Sequence, residues 1–110
     1  MKQRLGFVSN SSSTSFLITN ISSEEKTLRD FVLENVYLVE QFNREYSADE
    51  SLDDVIKNAE QSNKVFPPGK EVSISFGDED GTAIGRVFDY ILRDGGTSKS
   101  FTWEFEEYLR

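Results

Sequence analysis

Near the C-terminal end of the chain, Phe101, Trp103 and Phe105 alternate with Thr102, Glu104 and Glu106. Successive side chains of an extended strand point to opposite faces, so this run reads as a strand with one buried face and one wet face. Glu71-Val72-Ser73-Ile74-Ser75-Phe76 repeats the pattern, with Val72, Ile74 and Phe76 on one side. Phe16-Leu17-Ile18-Thr19 reads as a shorter third strand. A sheet built from such strands carries one apolar face, and helices must cover it.

The covering helices are legible between the strands. Ser22 and Glu25 have capping-box spacing, which predicts a helix over about 23–46. Leu28, Phe31, Val32, Val36, Val39, Phe42 and Tyr46 recur at three and four along it, as one buried face requires. The β-prone run Val36-Tyr37-Leu38-Val39 marks a place where that helix can break. Ser47 and Glu50 offer a second capping box before Leu52, Val55, Ile56 and Ala59, a clean amphipathic face through about residue 63. Asp49, Glu50, Asp53 and Asp54 crowd its first turn, where negative charge suits the helix dipole. Phe66-Pro67-Pro68-Gly69 is a stop and turn. Ile84, Val87, Phe88, Ile91 and Leu92 mark a third helix, ended by Asp94-Gly95-Gly96.

Composition narrows the chemistry. The chain has 110 residues, enough for one domain with its own core. Nine Phe, four Tyr and one Trp argue for a folded protein rather than a disordered one. There is no Cys and no His, which removes disulfides, thiolate metal sites, Ser-His-Asp and Cys-His triads and most zinc sites. A net charge of −8 and the lack of a basic stripe argue against direct binding of nucleic acid. An acidic chain could instead imitate DNA for a DNA-binding protein, although charge kept for solubility is the commoner reason. No apolar run approaches a membrane span, and the apolar stretch after Lys2 and Arg4 is broken by Ser and Asn beyond Val8. The expectation is a cytoplasmic protein with no membrane contact and no cofactor, in which the two Asn-x-Ser sequons are chance.

The least ordinary stretch is Gly6-Phe7-Val8-Ser9-Asn10-Ser11-Ser12-Ser13-Thr14-Ser15-Phe16. Ser and Asn side chains bond their own backbone, so the run reads first as a Ser-rich loop over 9–15, with Phe7-Val8 and Phe16–Ile18 pairing as a loose hairpin. The alternative is a site. Clustered hydroxyls and loop amides hold anions, and a phosphorylated serine adds charge. Ser9, Asn10, Ser11, Ser12, Ser13, Thr14 and Ser15 are therefore anion-binding or modification candidates, with Lys2 and Arg4 close by and no acidic residue before Glu24. No P-loop spacing is present. The stretch resembles an N-terminal signature, roughly G-F-V-S-N-S-S-S-S-S-F, at the start of uncharacterised bacterial and phage proteins. Thr14 replaces one serine and keeps the hydroxyl. The resemblance implies a bacterial or phage source and no mechanism.

Two further places carry candidate residues. Leu33 and Tyr37 project away from the main helical stripe, one turn apart, either under the second helix or as contacts for a partner. Asp78-Glu79-Asp80-Gly81-Thr82 resembles the D-x-D-G-T nucleophile motif of haloacid-dehalogenase-type phosphatases, in which the first Asp attacks phosphorus beside a magnesium ion. Gly77 interrupts the usual run from strand to nucleophile, and the residues that follow are too few for the further βα units of that fold. A turn with Asp80 or Thr82 capping the third helix explains the same letters. Asp78 and Asp80 remain weak metal candidates, and no catalytic residue is assigned.

The expected fold is α+β and two-layered, in the order β-α-α-β-α-β. One domain spans 1–110, with a small three- or four-stranded sheet carrying three helices on one face. Phe16, Ile18, Val72, Ile74, Phe76, Phe101, Trp103 and Phe105 should meet the helices in one core. The expected function is a non-enzymatic protein-interaction module that binds a protein partner or forms a homo-oligomer. The alternatives are an anion-binding or phosphorylation-controlled module acting through the Ser-rich loop, and a DNA mimic or carboxylate-based metal enzyme.

Overall fold

A computed structural model describes residues 13–77 and 81–109. Its elements are β1 (Ser13–Asn20), β2 (Lys26–Thr27), α1 (Leu28–Glu34), α2 (Tyr37–Glu45), α3 (Leu52–Ser62), β3 (Val65–Phe66), β4 (Glu71–Gly77), α4 (Ala83–Ile91), β5 (Gly96–Thr97) and β6 (Phe101–Leu109). The main sheet is antiparallel with strand order β4-β1-β6-β5, and β2 pairs with β3 in a separate two-stranded ladder. The fold is α+β, as the alternating strands require, but four helices rather than three are present among the described residues.

The extra helix comes from a break in the long one expected over 23–46. Asn35 is fully buried at the break, and its side-chain amide donates to the carbonyl of Phe31 at 3.0 Å. Beside it, the Glu34 carboxylate accepts from the Ser98 hydroxyl and from the Ser100 amide, the latter at 2.7 Å. The chain leaves the helix there because Glu34 is tied to the turn between β5 and β6. The start also moves. Asn20 Oδ1 accepts from the backbone and hydroxyl of Ser22 at 2.9 and 2.6 Å, so Ser22 is not a helix cap. Thr27 and Asp30 form the capping box instead. In α3 the cap is Ser51 rather than Ser47, which has φ 50° in the connection before it.

At its other end, β1 begins at Ser13, earlier than expected. Ser13, Thr14 and Ser15, assigned to a loop from composition, are strand residues that pair on one side with Gly77, Phe76 and Ser75. On the other side they pair with Leu109, Tyr108 and Glu107. A central strand satisfies its backbone through two neighbours, and this outweighs the turn preference of Ser and Thr. The remainder of the expected loop, and the hairpin through Phe7 and Val8, lie outside the described residues.

Pro67-Pro68-Gly69-Lys70 starts β4. Lys70 N bonds Pro67 O at 3.2 Å, and Gly69 has φ +70°, which is why a glycine closes the turn. Gly69 N and Lys70 O both bond Asn20, at 2.8 and 3.1 Å, which fixes the register of β4 on β1.

The core lies between the sheet and the helices. Phe31 of α1 sits at its centre, edge-on to Phe88, Phe101 and Trp103 at 5.6, 5.1 and 5.3 Å. Phe16, Ile18, Ile74, Phe76, Phe101 and Trp103 are buried as expected, while Val72 is only partly so. Phe105 is the exception, at 37% exposed. The β1–β6 register shifts between Ser15 and Phe16, so that Ser15 faces Glu107 while Phe16 faces Phe105. Glu106 is the extra residue of this bulge, and beyond it β6 runs past the covered part of the sheet. On the opposite face Ser73, Ser75, Glu104 and Glu106 are exposed.

Candidate functional site

Strand periodicity splits the described hydroxyls of the opening stretch between two faces. Thr14 points inward and is 1% exposed. Its hydroxyl donates to Asp89 Oδ1 of α4 at 2.5 Å. Asp89 is fully buried, and Arg93, one helical turn further on, donates from Nη2 to the same oxygen at 3.2 Å and from Nε to the Asp89 carbonyl at 2.7 Å. Asp89 Oδ2 has no hydrogen-bond partner among the described residues. Ser15 points the other way and donates to Glu106, which also accepts from Ser73 at 2.7 Å. The Ser15 and Ser73 hydroxyls hold the Glu106 carboxyl below the usual carboxylate range.

Both hydroxyls thus face carboxylates, the reverse of an anion cradle. Ser13 is the partly exposed first residue of β1. Ser9, Asn10, Ser11 and Ser12 lie outside the described residues, as do Asp78 and Asp80. Thr82 caps α4, accepting from Gly85 N at 3.1 Å, as the turn reading of that loop anticipates. Among the described residues no cluster of three or more Asp or Glu side chains could hold a metal ion. No helix there is long and apolar enough to cross a membrane.

Asp89 holds Arg93 in place, and Arg93 organises the surface above it. Its guanidinium lies over the ring of Tyr90 at 4.6 Å and that of Tyr108 at 5.1 Å. Tyr108 meets Phe105 at 4.9 Å, and Tyr90 meets Tyr46 at 5.4 Å. Tyr46 in turn stacks on Phe42 at 5.0 Å. The result is a continuous strip, Phe42–Tyr46–Tyr90–Arg93–Tyr108–Phe105, built from the end of α2, from α4 and from the end of β6. Tyr46 and Tyr108 are 51% and 50% exposed.

Leu33 and Tyr37, the contacts expected from helical spacing, are exposed at 41% and 48%. They fall on different helices, because the break lies between them. The aromatic strip was not anticipated from the sequence. Its members are scattered over 42–108, and the available signal was that Tyr90 and Tyr108 lie outside every apolar stripe. Comparison of the chain with protein-family models, with curated proteins and with solved structures finds no match.

Proposed function

We propose that the chain is a non-enzymatic protein-interaction module that engages its partner through the strip Tyr46–Tyr90–Arg93–Tyr108–Phe105. The observation that carries this reading is the guanidinium of Arg93, held from beneath by buried Asp89 and stacked between two tyrosine rings. Tyr and Arg dominate binding hot spots because they bring large area, polar tips and little flexibility. Here the stacking orders these side chains before any partner arrives, which lowers the entropic cost of association.

Photo-crosslinking in host cells tests the reading. A benzophenone amino acid at position 46 or 108 should capture a defined protein, and one at Lys57, exposed on α3, should not. Phe105→Asp should abolish the capture. Equal labelling from all three positions would remove the strip as the contact.

A further inference from the structure

We propose that the pocket between α3, β4 and the start of α4 binds a small amphipathic monocarboxylate, with its apolar body among Leu28, Ile74, Phe76 and Ile84 and its carboxylate on the ammonium of Lys64. The site shares no residue with the aromatic strip and does not rest on the role given to that strip.

The pocket has a volume of about 410 Å³, within the roughly 300–1,000 Å³ of small-molecule sites. Three elements give it an apolar lining. Leu28 opens α1, Ile74 and Phe76 share the inner face of β4, and Ile84 lies in the first turn of α4; all four are buried. Gln61 and Ser75 are exposed at its border. α3 stops at Ser62 and the chain turns through Asn63 at φ 55°, so that Lys64, and not a further turn of helix, borders the pocket.

The charge at the site is opposite to that of the chain. Of 110 residues 20 are Asp or Glu, yet among the described residues none of these lines the pocket, and its one charged side chain is Lys64. Lys64 is partly buried, and its backbone is fixed on both sides. Its N–H donates to the Ser62 hydroxyl at 3.2 Å, and its carbonyl accepts from the Leu28 N–H at 3.1 Å. Glu60, the partner that helical spacing would offer, is already bonded to Arg29 at 2.8 Å. The Lys64 ammonium has no ion pair or hydrogen bond among the described residues. A cation beside apolar surface holds a carboxylate more strongly than one in open water.

The amides at the start of α4 do not compete for the head group. Ile84 N donates to Asn58 Oδ1 at 3.2 Å, and Gly85 N to the Thr82 hydroxyl at 3.1 Å. The first of these bonds uses the acceptor of Asn58 and leaves that side chain its amide donors. One cation and one amide match a single negative charge, which favours a carboxylate over the nearly doubly charged phosphate.

The probes are hexanoate, octanoate, decanoate and 4-phenylbutanoate, each beside the alcohol and the amine with the same body. Binding is read from amide chemical shifts in NMR titrations of the full chain. At least one carboxylate should bind saturably and move the amides of 61–64, 74–76 and 84–85. Its alcohol and its amine should bind more weakly, by about tenfold or more. Lys64→Met keeps an unbranched stem and removes the charge; it should weaken the carboxylate by about tenfold, and Lys64→Arg should not. An unchanged amide spectrum away from the pocket shows that both variants fold. Gln61→Trp, which crowds the border, should weaken carboxylate and alcohol alike. Phe105→Asp should change neither, which separates this pocket from the aromatic strip. Failure of every carboxylate to bind saturably would overturn the proposal. Equal binding of the alcohol, tighter binding of the amine, or full affinity for the carboxylate in Lys64→Met would overturn it as well.

Discussion

Asp89 and Thr14 are far apart in sequence and meet at one buried oxygen. Asp89→Ala strips the hydroxyl of Thr14 and the guanidinium of Arg93 of their shared acceptor. A buried pair that loses one member costs several kcal/mol, but Arg93 is 33% exposed and can rehydrate in part. The expected loss is about 2 kcal/mol. Thr14→Val keeps the strand and the Arg93–Asp89 pair and removes the bond to Asp89 together with a long one, at 3.5 Å, that the hydroxyl accepts from Arg93, for a loss of about 1 kcal/mol. Urea unfolding of the two variants should return that order, and the reverse order would mean that Arg93 does not depend on Asp89. Thr14 stands out in the sequence as part of a hydroxyl run, whereas Asp89 does not. It lies between Phe88 and Ile91 in what reads as an ordinary amphipathic helix, and its partners are fixed only by long-range strand pairing.

At the scale of elements, local rules located the helices and misplaced their ends. Each misplaced cap has a competing bond. Ser22 is taken by Asn20, and Asn43 bonds the backbone of Glu50 in both directions at 3.0 and 2.9 Å, which holds the chain out of helix until Ser51. Ser51→Ala should therefore cost about 1 kcal/mol. Ser47→Gly should be neutral or stabilise by up to about 1 kcal/mol, because Ser47 has positive φ. Thermal melts of both variants check this, and a larger loss at Ser47 would restore it as the cap. The strands from Val72 to Phe76 and from Phe101 onward were legible because period-two alternation survives any tertiary context. The two-residue strands β2, β3 and β5 were not, since two residues cannot show a period. The aromatic strip was hidden for a related reason: it is assembled from the ends of three elements, and no single element carries its pattern.

The whole molecule is acidic, and its response to pH follows from three carboxylates. Glu50 is held below its ordinary value of 4.5 chiefly by the two-pronged hydrogen bond from Arg86, at 2.7 and 3.0 Å. Partial burial pushes Glu34 upward, but the bonds from Ser98 and Ser100 outweigh it and leave it lowered. Glu106 is lowered by Ser15 and Ser73. A carboxyl depressed by folding contributes stability that is fully present above its unfolded value and lost as pH falls through its folded one. With no histidine in the chain, stability should change little from about pH 7 down to about pH 5.5. It should then decline below about pH 4.5. Melting temperatures across that range test the expectation, and a decline beginning near neutrality would refute it. The strand order has a consequence of another kind. A central strand of the sheet, β1, is the first of the described elements to be synthesised, and both of its neighbours come from the last two-fifths of the chain, so that Ser13 is paired with Leu109. On a ribosome, β1 emerges with neither flank available; β4 follows only after Lys70 has been added, and β6 only after Ser100. The sheet closes only when residues up to 109 have cleared the exit tunnel. Until then the hydroxyl-rich opening keeps that waiting segment wetter than a run of Val and Ile would be.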